Sequence, residues 1–534
     1  MKRKLLTALL CGALMLTSLA GCGQGAGNQS GTSAGGESAV KDELVFVNYR
    51  DIRDLNPHLY AGEMYAQSIL YDTLVSNTSE GYVGCLAEDW TISEDGRTYT
   101  FNIRDGVTFS DGTPCDANAI LANFNAILEN RERHTWLEMM NLLVGVSAPD
   151  DDTFVIEMSE PYYPMLTELA CIRPFAMISP NCMIDGSTKD GVNGYIGTGP
   201  YVLTDFVTDE YAVFERNENY WGEKPTIQKI TVKVIPDNQT RIMALENGEI
   251  DLIFGKNMLD ADAISQYVDS DKFTVGLSDP TSTRHIVLNT THDILGDKSV
   301  RQALQHATNR QAISEGIFYG LEPAADTLYS TTVPYCDVDL EPYAYDADEA
   351  ARLLDEAGWT MGSDGVRAKD GQKLALDLLY NSDSVTEKTI SEYLQSEYLK
   401  LGISLNIHGE EEQSYRDNMK AGNFDMVFNI CWGMPYDPQS SLAAMRAPVY
   451  GDYAAQQGLE DKAEIDQAIT DILTSTDETK RQELYTFVLT RLHEDAVYIP
   501  LTFETNKALY TSDLKGVHFG TDQYDVDFAS MYFA

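Results

Sequence analysis

"LALDLLYNSDSVTEKTISEYLQSEYLKLGISLNIH", residues 374–408, sets the fold class. Two strand-length runs, 374–380 and 403–408, flank a segment of helical length and composition over 385–400. The same order recurs on both sides. A helix over 238–247 precedes the strand "IDLIF" (250–254), and the strand "RHIVLN" (284–289) precedes a helix over 298–310. A helix over 412–420 then leads to the strand "FDMVFNI" (424–430), and two long helices run through 460–494. Such alternation predicts sheets with helices packed on their faces, an α/β architecture. In these sheets ligands bind outside the carboxyl ends of strands, and "CWGMPYDP" (431–438) lies directly after one such end.

Upstream of residue 238 the pattern is mostly strand. "ELVFVNY" (43–49) comes first, then alternating residues across 90–112 with turns at Asp95-Gly96 and Asp105-Gly106. A hairpin is expected around 147–158, and further strands at 201–206, 212–216 and 229–235. Between them, Asp116 caps a helix whose Ile120, Leu121, Phe124, Ile127 and Leu128 recur at helical spacing. That helix ends in "NRERHTWLEMM" (130–140), where Arg131, Arg133 and His134 crowd against Trp136. Two readings fit this stretch: basic side chains favoured by the helix dipole, or part of a binding site.

The first forty residues have a different character. Lys2, Arg3 and Lys4 precede an apolar run from Leu5 to Ala20, too short to span a bilayer comfortably, which reads as an export signal. Residues 23–40 are nearly all Gly, Ser, Ala, Thr, Gln and Asn, the composition of a flexible tether. No later apolar run reaches membrane-spanning length. The remaining body of about 490 residues is too long for one core, so at least two lobes are expected. With 83 acidic residues against 38 basic, nucleic acid and anionic lipid are excluded as partners, because both need a basic footprint. Six cysteines lie beyond the export segment without any CxxC spacing; Cys171 and Cys182 are nearest in sequence, and either a bridge or free buried thiols fit.

A catalytic constellation does not emerge. There is no G-x-S-x-G, P-loop, Rossmann fingerprint or H-E-x-x-H, and no i,i+4 pair among the eight histidines. "GTGPY" (197–201) carries a proline and lacks the Lys-Ser/Thr of a phosphate cradle. "HGEEEQ" (408–413) reads as a strand exit and an acidic helix start rather than a cation site. The chain is expected not to be an enzyme and to hold no cofactor.

Taken together, "GTGPYVL" (197–203), "RNENYWGEKP" (216–225), "VRQALQHATNRQAI" (300–313) and "YDADEAARLLDEAGW" (345–359) resemble the peptide- and nickel-type extracytoplasmic solute-binding proteins of ABC importers. "LNPHLY" (55–60), "NRERHTWLE" (130–138), "WGMPYDP" (432–438) and "LTRLHEDAVYIP" (489–500) look like the nickel branch of that family. The "LAGC" exit (19–22) resembles a lipobox, implying a signal over 1–21, a lipidated Cys22 and tether over 22–40, and anchoring outside the cytoplasmic membrane or in the periplasm. The resemblance implies a two-lobed periplasmic-binding-protein fold with lobe I at 41–280, lobe II at 281–503, a return to lobe I over 504–534, and a ligand enclosed at the hinge.

It also implies a cargo of nickel wrapped in a small carboxylate-bearing chelator such as L-histidine, delivered by a monomer to a permease and ATPase complex. Arginines match a carboxylate with paired hydrogen bonds, and flat aromatics suit the faces of a chelate. Carried over position by position, Arg133, Trp136 and Arg173 match the carboxylate hook and its wall. Trp432 and Tyr436 match facing aromatics, and Tyr60 and Met64 the floor, while His134 falls outside the site. Two departures stand out. Met434 and Pro435 replace the aspartate with which peptide-binding relatives hold an α-amino group, which weakens the alternative of a di- or oligopeptide cargo. Tyr450 stands where the nickel branch has a histidine ligand, and a tyrosine is a poorer nickel ligand than imidazole.

Overall fold

In the computed structural model, residues 374–408 form the strand–helix–strand unit expected of them. Strand Ala375–Asn381 pairs in parallel with Ser404–Glu410, and helix Val385–Lys400 connects them. Ser384 starts the helix by accepting from the Glu387 N–H at 3.2 Å. Ile390, Leu394 and Tyr398 of the helix share one apolar cluster with Leu376, Leu378 and Leu405 of the strands. Burying each such side chain stabilises the unit by about 1.5–3 kcal/mol. Gly402 follows the helix with φ +80°, a conformation glycine adopts without strain. The structure describes residues 41–78, 81–255, 258–431, 438–520 and 524–534. The expected signal, Cys22 and tether, and likewise Trp432–Asp437, lie outside the described residues.

The unit belongs to a ten-stranded mixed sheet. Its order is Tyr201–Val207, Tyr211–Arg216, Lys229–Val234, Glu43–Asn48, Leu252–Phe254, Tyr498–Thr511, Phe273–Leu288, Met426–Cys431, Ala375–Asn381, Ser404–Glu410. Two long strands, Phe273–Leu288 and Tyr498–Thr511, run antiparallel through its middle. Tyr498–Thr511 pairs at one end with Leu252–Phe254, while Thr283–Leu288 pairs with Met426–Cys431. The chain thus crosses between the two halves of the sheet twice. Register shifts between Leu277 and His285 bend the crossing, and Pro280, which has no N–H to donate, sits within them. The alternation of residues 284–289 marks only the far end of this strand.

Apolar clusters fall on either side of the crossing. On one side, Leu44, Phe46 and Phe254 pack with Ala508, Phe528 and Met531. A four-stranded antiparallel sheet, Ala87–Ile92, Thr98–Ile103, Thr153–Met158 and Leu143–Ser147, covers Phe101, Phe124, Phe154 and Phe175. On the other side are the cluster of Leu378 and Leu394 and one of Val427, Ile469, Tyr485 and Leu492. The molecule is an α/β protein of two lobes. One helix is shorter than expected: 298–310 ends at Ala307, and Asn309 caps a second helix, Arg310–Ile317, by accepting from the Ala312 N–H at 2.9 Å. Cys85, Cys115, Cys171, Cys182, Cys336 and Cys431 are all buried free thiols, so no bridge joins Cys171 to Cys182.

Candidate functional site

Asp116 caps helix Ala117–Glu129, which delivers the 3₁₀ turn Arg131–His134. Arg131 is consumed structurally: its Nε donates to the Met140 carbonyl at 2.6 Å and its Nη2 to that of Leu143 at 2.7 Å. Arg133 points outward and is exposed. Beyond the turn, the Trp136 indole N–H donates to the Tyr60 hydroxyl, which in turn lies 2.8 Å from Nδ1 of the fully buried His134. Burial, and then the neighbouring Arg133 charge, push His134 down to about 4, so the ring is neutral near pH 7 and shares a hydrogen bond with the Tyr60 hydroxyl. The expectation that His134 stands outside the site is therefore refined: it does not line the cavity, but it orients a residue that does. Its sequence gave no signal beyond adjacency to Trp136.

Tyr60 ends the loop "LNPHLY", which is tied down from beneath. Asn56 Nδ2 donates to the Thr188 carbonyl at 2.8 Å. His58 lies between Thr188 Oγ1 at 3.0 Å and the Ala176 carbonyl at 3.2 Å, and burial lowers its pKa to about 3. The same segment around Ala176 carries Arg173, held extended before Pro174. Arg173 is 9% exposed. Its Nε and Nη2 donate to Gln67 Oε1 at 3.3 and 3.1 Å, and Nη2 also to the Gly62 carbonyl. The Tyr60 ring centre lies 5.6 Å from its guanidinium carbon. Among the described residues, Nη1 has no hydrogen-bond partner and no carboxylate forms an ion pair with this arginine; burial lowers its pKa, with Tyr60 and then Glu63 the largest opposing influences. A buried cation without a counter-ion is costly, and it fits an incoming carboxylate.

These groups share a cavity of about 700 Å³ whose wall includes Tyr60, Met64, Trp136 and Arg173, with Glu63 and Arg241. Arg241 is committed to the carbonyls of Ile235, Pro236 and Met258 at 2.7–3.1 Å. Arg133 and Tyr450 are not on this wall. Tyr450 precedes helix Gly451–Gln456, where burial raises its pKa beside Arg416 and Asp452. Trp432 and Tyr436 lie outside the described residues, directly after strand Met426–Cys431. Among the described residues no three His, Cys, Asp or Glu side chains gather as a metal site. Two of the three acids of "HGEEEQ" are engaged locally: Glu412 pairs with Arg416, and Glu410 accepts from Ser414 at 2.6 Å.

The glycine motif has a structural explanation. A Cβ on Gly197 would stand 2.0 Å from the Leu70 carbonyl oxygen, and one on Gly199 2.6 Å from that of Ile69. Only glycine lets 196–200 lie against helix Met64–Leu70, which carries Met64 to the cavity and Gln67 to Arg173. The arrangement offers an anion hook, two aromatic faces and a thioether.

Comparison with known proteins identifies the family. Residues 81–452 match the family described as bacterial extracellular solute-binding proteins, family 5 Middle. The chain is 40% identical over 496 residues to the nickel-binding periplasmic protein of Escherichia coli, covering 92% of this chain and 94% of that one. It superposes on the crystal structure of NikA from Brucella suis in complex with Fe(III)-EDTA with a TM-score of 0.89 and 43% identity, covering 92% of this chain and all of that one. The NikZ structure from Campylobacter jejuni in complex with Ni(L-His), at 22% identity and a TM-score of 0.73, shares the fold across 92% of this chain and 99% of that one.

Proposed function

The chain belongs to the bacterial extracellular solute-binding proteins of family 5, and from that premise we propose that it is the binding component of an ABC importer for nickel. As a solute-binding protein it is not an enzyme: cargo is captured and released unchanged. The nickel is carried as a complex with a small carboxylate-bearing chelator of the L-histidine type. One observation carries this reading: among the described residues Arg173 is buried without an ion-pair partner, and its Nη1 is left without a hydrogen bond in the cavity that Tyr60 and Trp136 also line. The similarity to nickel-binding relatives supports the metal.

In this proposal the lobes are 41–280 with 504–534, and 281–503, and they close over the chelate at the crossing strands. Trp432 and Tyr436 meet the ligand from the second lobe. Arg133 supplies an exposed positive charge near Trp136. The metal is satisfied by its chelator, so Tyr450 need not ligate it. Cys22 anchors the protein, as a monomer, outside the membrane that holds the permease and its ATPase.

Calorimetric titration tests the proposal with three samples: nickel alone, nickel with excess L-histidine, and a dipeptide mixture. Heat only with the second is the expected result. Heat from dipeptides and none from either nickel sample would assign the site to peptides instead.

A further inference from the structure

Arg50, Glu63 and Tyr65 line the cavity that holds Arg173, with Asn48 beside them. Glu63 is 9% exposed and Tyr65 7%. Arg50 Nε approaches Glu63 Oε1 to 2.5 Å, an ion pair outside hydrogen-bond geometry. The other carboxylate oxygen receives only a long bond from Asn48 Nδ2, at 3.4 Å. Glu63 stands at the N-cap of helix Met64–Leu70, yet its side chain caps nothing.

The ion pair with Arg50 and the long Asn48 bond leave part of the acceptor capacity of the Glu63 carboxylate unfilled among the described residues. A carboxylate accepts, so a ligand group that meets it in the cavity must bring an N–H or O–H. The positive charge of Arg50 beside it disfavours a bare metal cation. The backbone sets its relation to the carboxylate hook, since Arg173 donates to the carbonyl of Gly62, the residue before Glu63.

We propose that Glu63, flanked by Asn48 and Tyr65, is a second recognition point of this cavity, taking the ammonium, amine or imidazole N–H of a ligand whose carboxylate lies on Arg173. It rests on the reading of the cavity as the cargo site, and it narrows the cargo to nitrogen-bearing carboxylates over chelators built from carboxylates alone.

The test is calorimetric titration of the wild type, Glu63→Gln and Tyr65→Phe with nickel plus L-histidine, nickel plus citrate, and the dipeptide Ala-Ala. For each N–H-bearing probe that the wild type binds, Glu63→Gln weakens affinity roughly ten- to hundredfold, the range of a hydrogen bond to a charged group. Tyr65→Phe removes only the hydroxyl beside Asn48 and keeps the buried ring, so it weakens the same probes a few-fold. It serves as the second variant should Glu63→Gln unfold. Neither change weakens the citrate complex. Unchanged affinity for the N–H-bearing probe, equal losses with citrate, or a wild type that binds citrate alone or no probe would overturn the proposal. Failure of the nickel reading looks different: Ala-Ala is bound and loses affinity in Glu63→Gln, while nickel–L-histidine is not bound at all.

Discussion

Replacing Arg173 by Met separates binding from folding. In the wild type a carboxylate arriving on the Nη1 edge gains charge-assisted hydrogen bonds worth about 1.5–3 kcal/mol each. Two such bonds, offset by desolvation of the carboxylate, amount to a net loss of about 3–4 kcal/mol on truncation, or a Kd raised some hundred- to thousandfold. The unliganded protein feels two opposing effects. Gln67 Oε1 and the Gly62 carbonyl lose their donor, at about 1–3 kcal/mol each. Against that, a buried guanidinium with no ion-pair partner among the described residues is removed, which relieves several kcal/mol of desolvation. The stability of the empty protein therefore changes by no more than about 2 kcal/mol. Calorimetry with nickel and L-histidine, beside urea melts of the empty protein, reads both quantities. Arg173→Lys keeps the charge but loses the fork and falls between. A folded Arg173→Met protein with a Kd within about fivefold of wild type, well below what a lost charged hydrogen bond costs, would refute the argument.

Two further predictions follow from the fold. His58 and His134, both fully buried, have pKa values depressed to about 3 and about 4 from the ordinary 6.5. The unfolded chain binds these protons first, so their contribution is whole above pH 6.5 and is lost as pH falls toward 4, at about 1.4 kcal/mol per pH unit for each ring. Urea melts between pH 7 and 4.5 should show this decline, and His134→Gln should shallow the slope by close to one proton; an unchanged slope would exclude the assignment. Gly199→Ala forces a methyl group against the Ile69 and Leu70 backbone, so the thermal midpoint should fall and nickel–chelate affinity with it; an unaltered melt would show that the segment yields freely.

The legible parts of this fold are those whose causes are local. Ser384, the leucines of 374–380 and the spacing of Ile390 and Leu394 lie within one stretch, so its strand–helix–strand order can be read without any partner. The crossing strands cannot. Residues 278–283 are polar, contain Pro280 and lack alternation; they are strand because Tyr498–Thr511 lies beside them. The helix break at Thr308 was hidden because apolar periodicity continues across it, and only the Asn309 cap marks it. At the site, Tyr60, Met64, Trp136 and Arg173 were named through resemblance, and the structure sets them on one wall. Composition alone could not have joined them, since the tie runs through His58, Asn56 and Thr188. His134 was placed outside the site and Glu63 went unread for a related reason: what they do depends on partners, Tyr60 for one and Arg50 and Asn48 for the other, that no local pattern marks.

The double crossing has a temporal consequence. The cluster that begins with Leu44 and Phe46 is closed by Ala508, Leu514, Phe528 and Met531, and a whole lobe is threaded between these segments. A nascent chain therefore holds an unfinished apolar surface until nearly all of it has been made, whereas the cluster of Leu378 and Leu394 assembles largely from contiguous sequence. Contacts so distant in sequence form slowly. That cluster is completed late, while the one built from Leu74 to Met177 closes early, so the same side of the sheet offers a chaperone a half-finished surface for an interval.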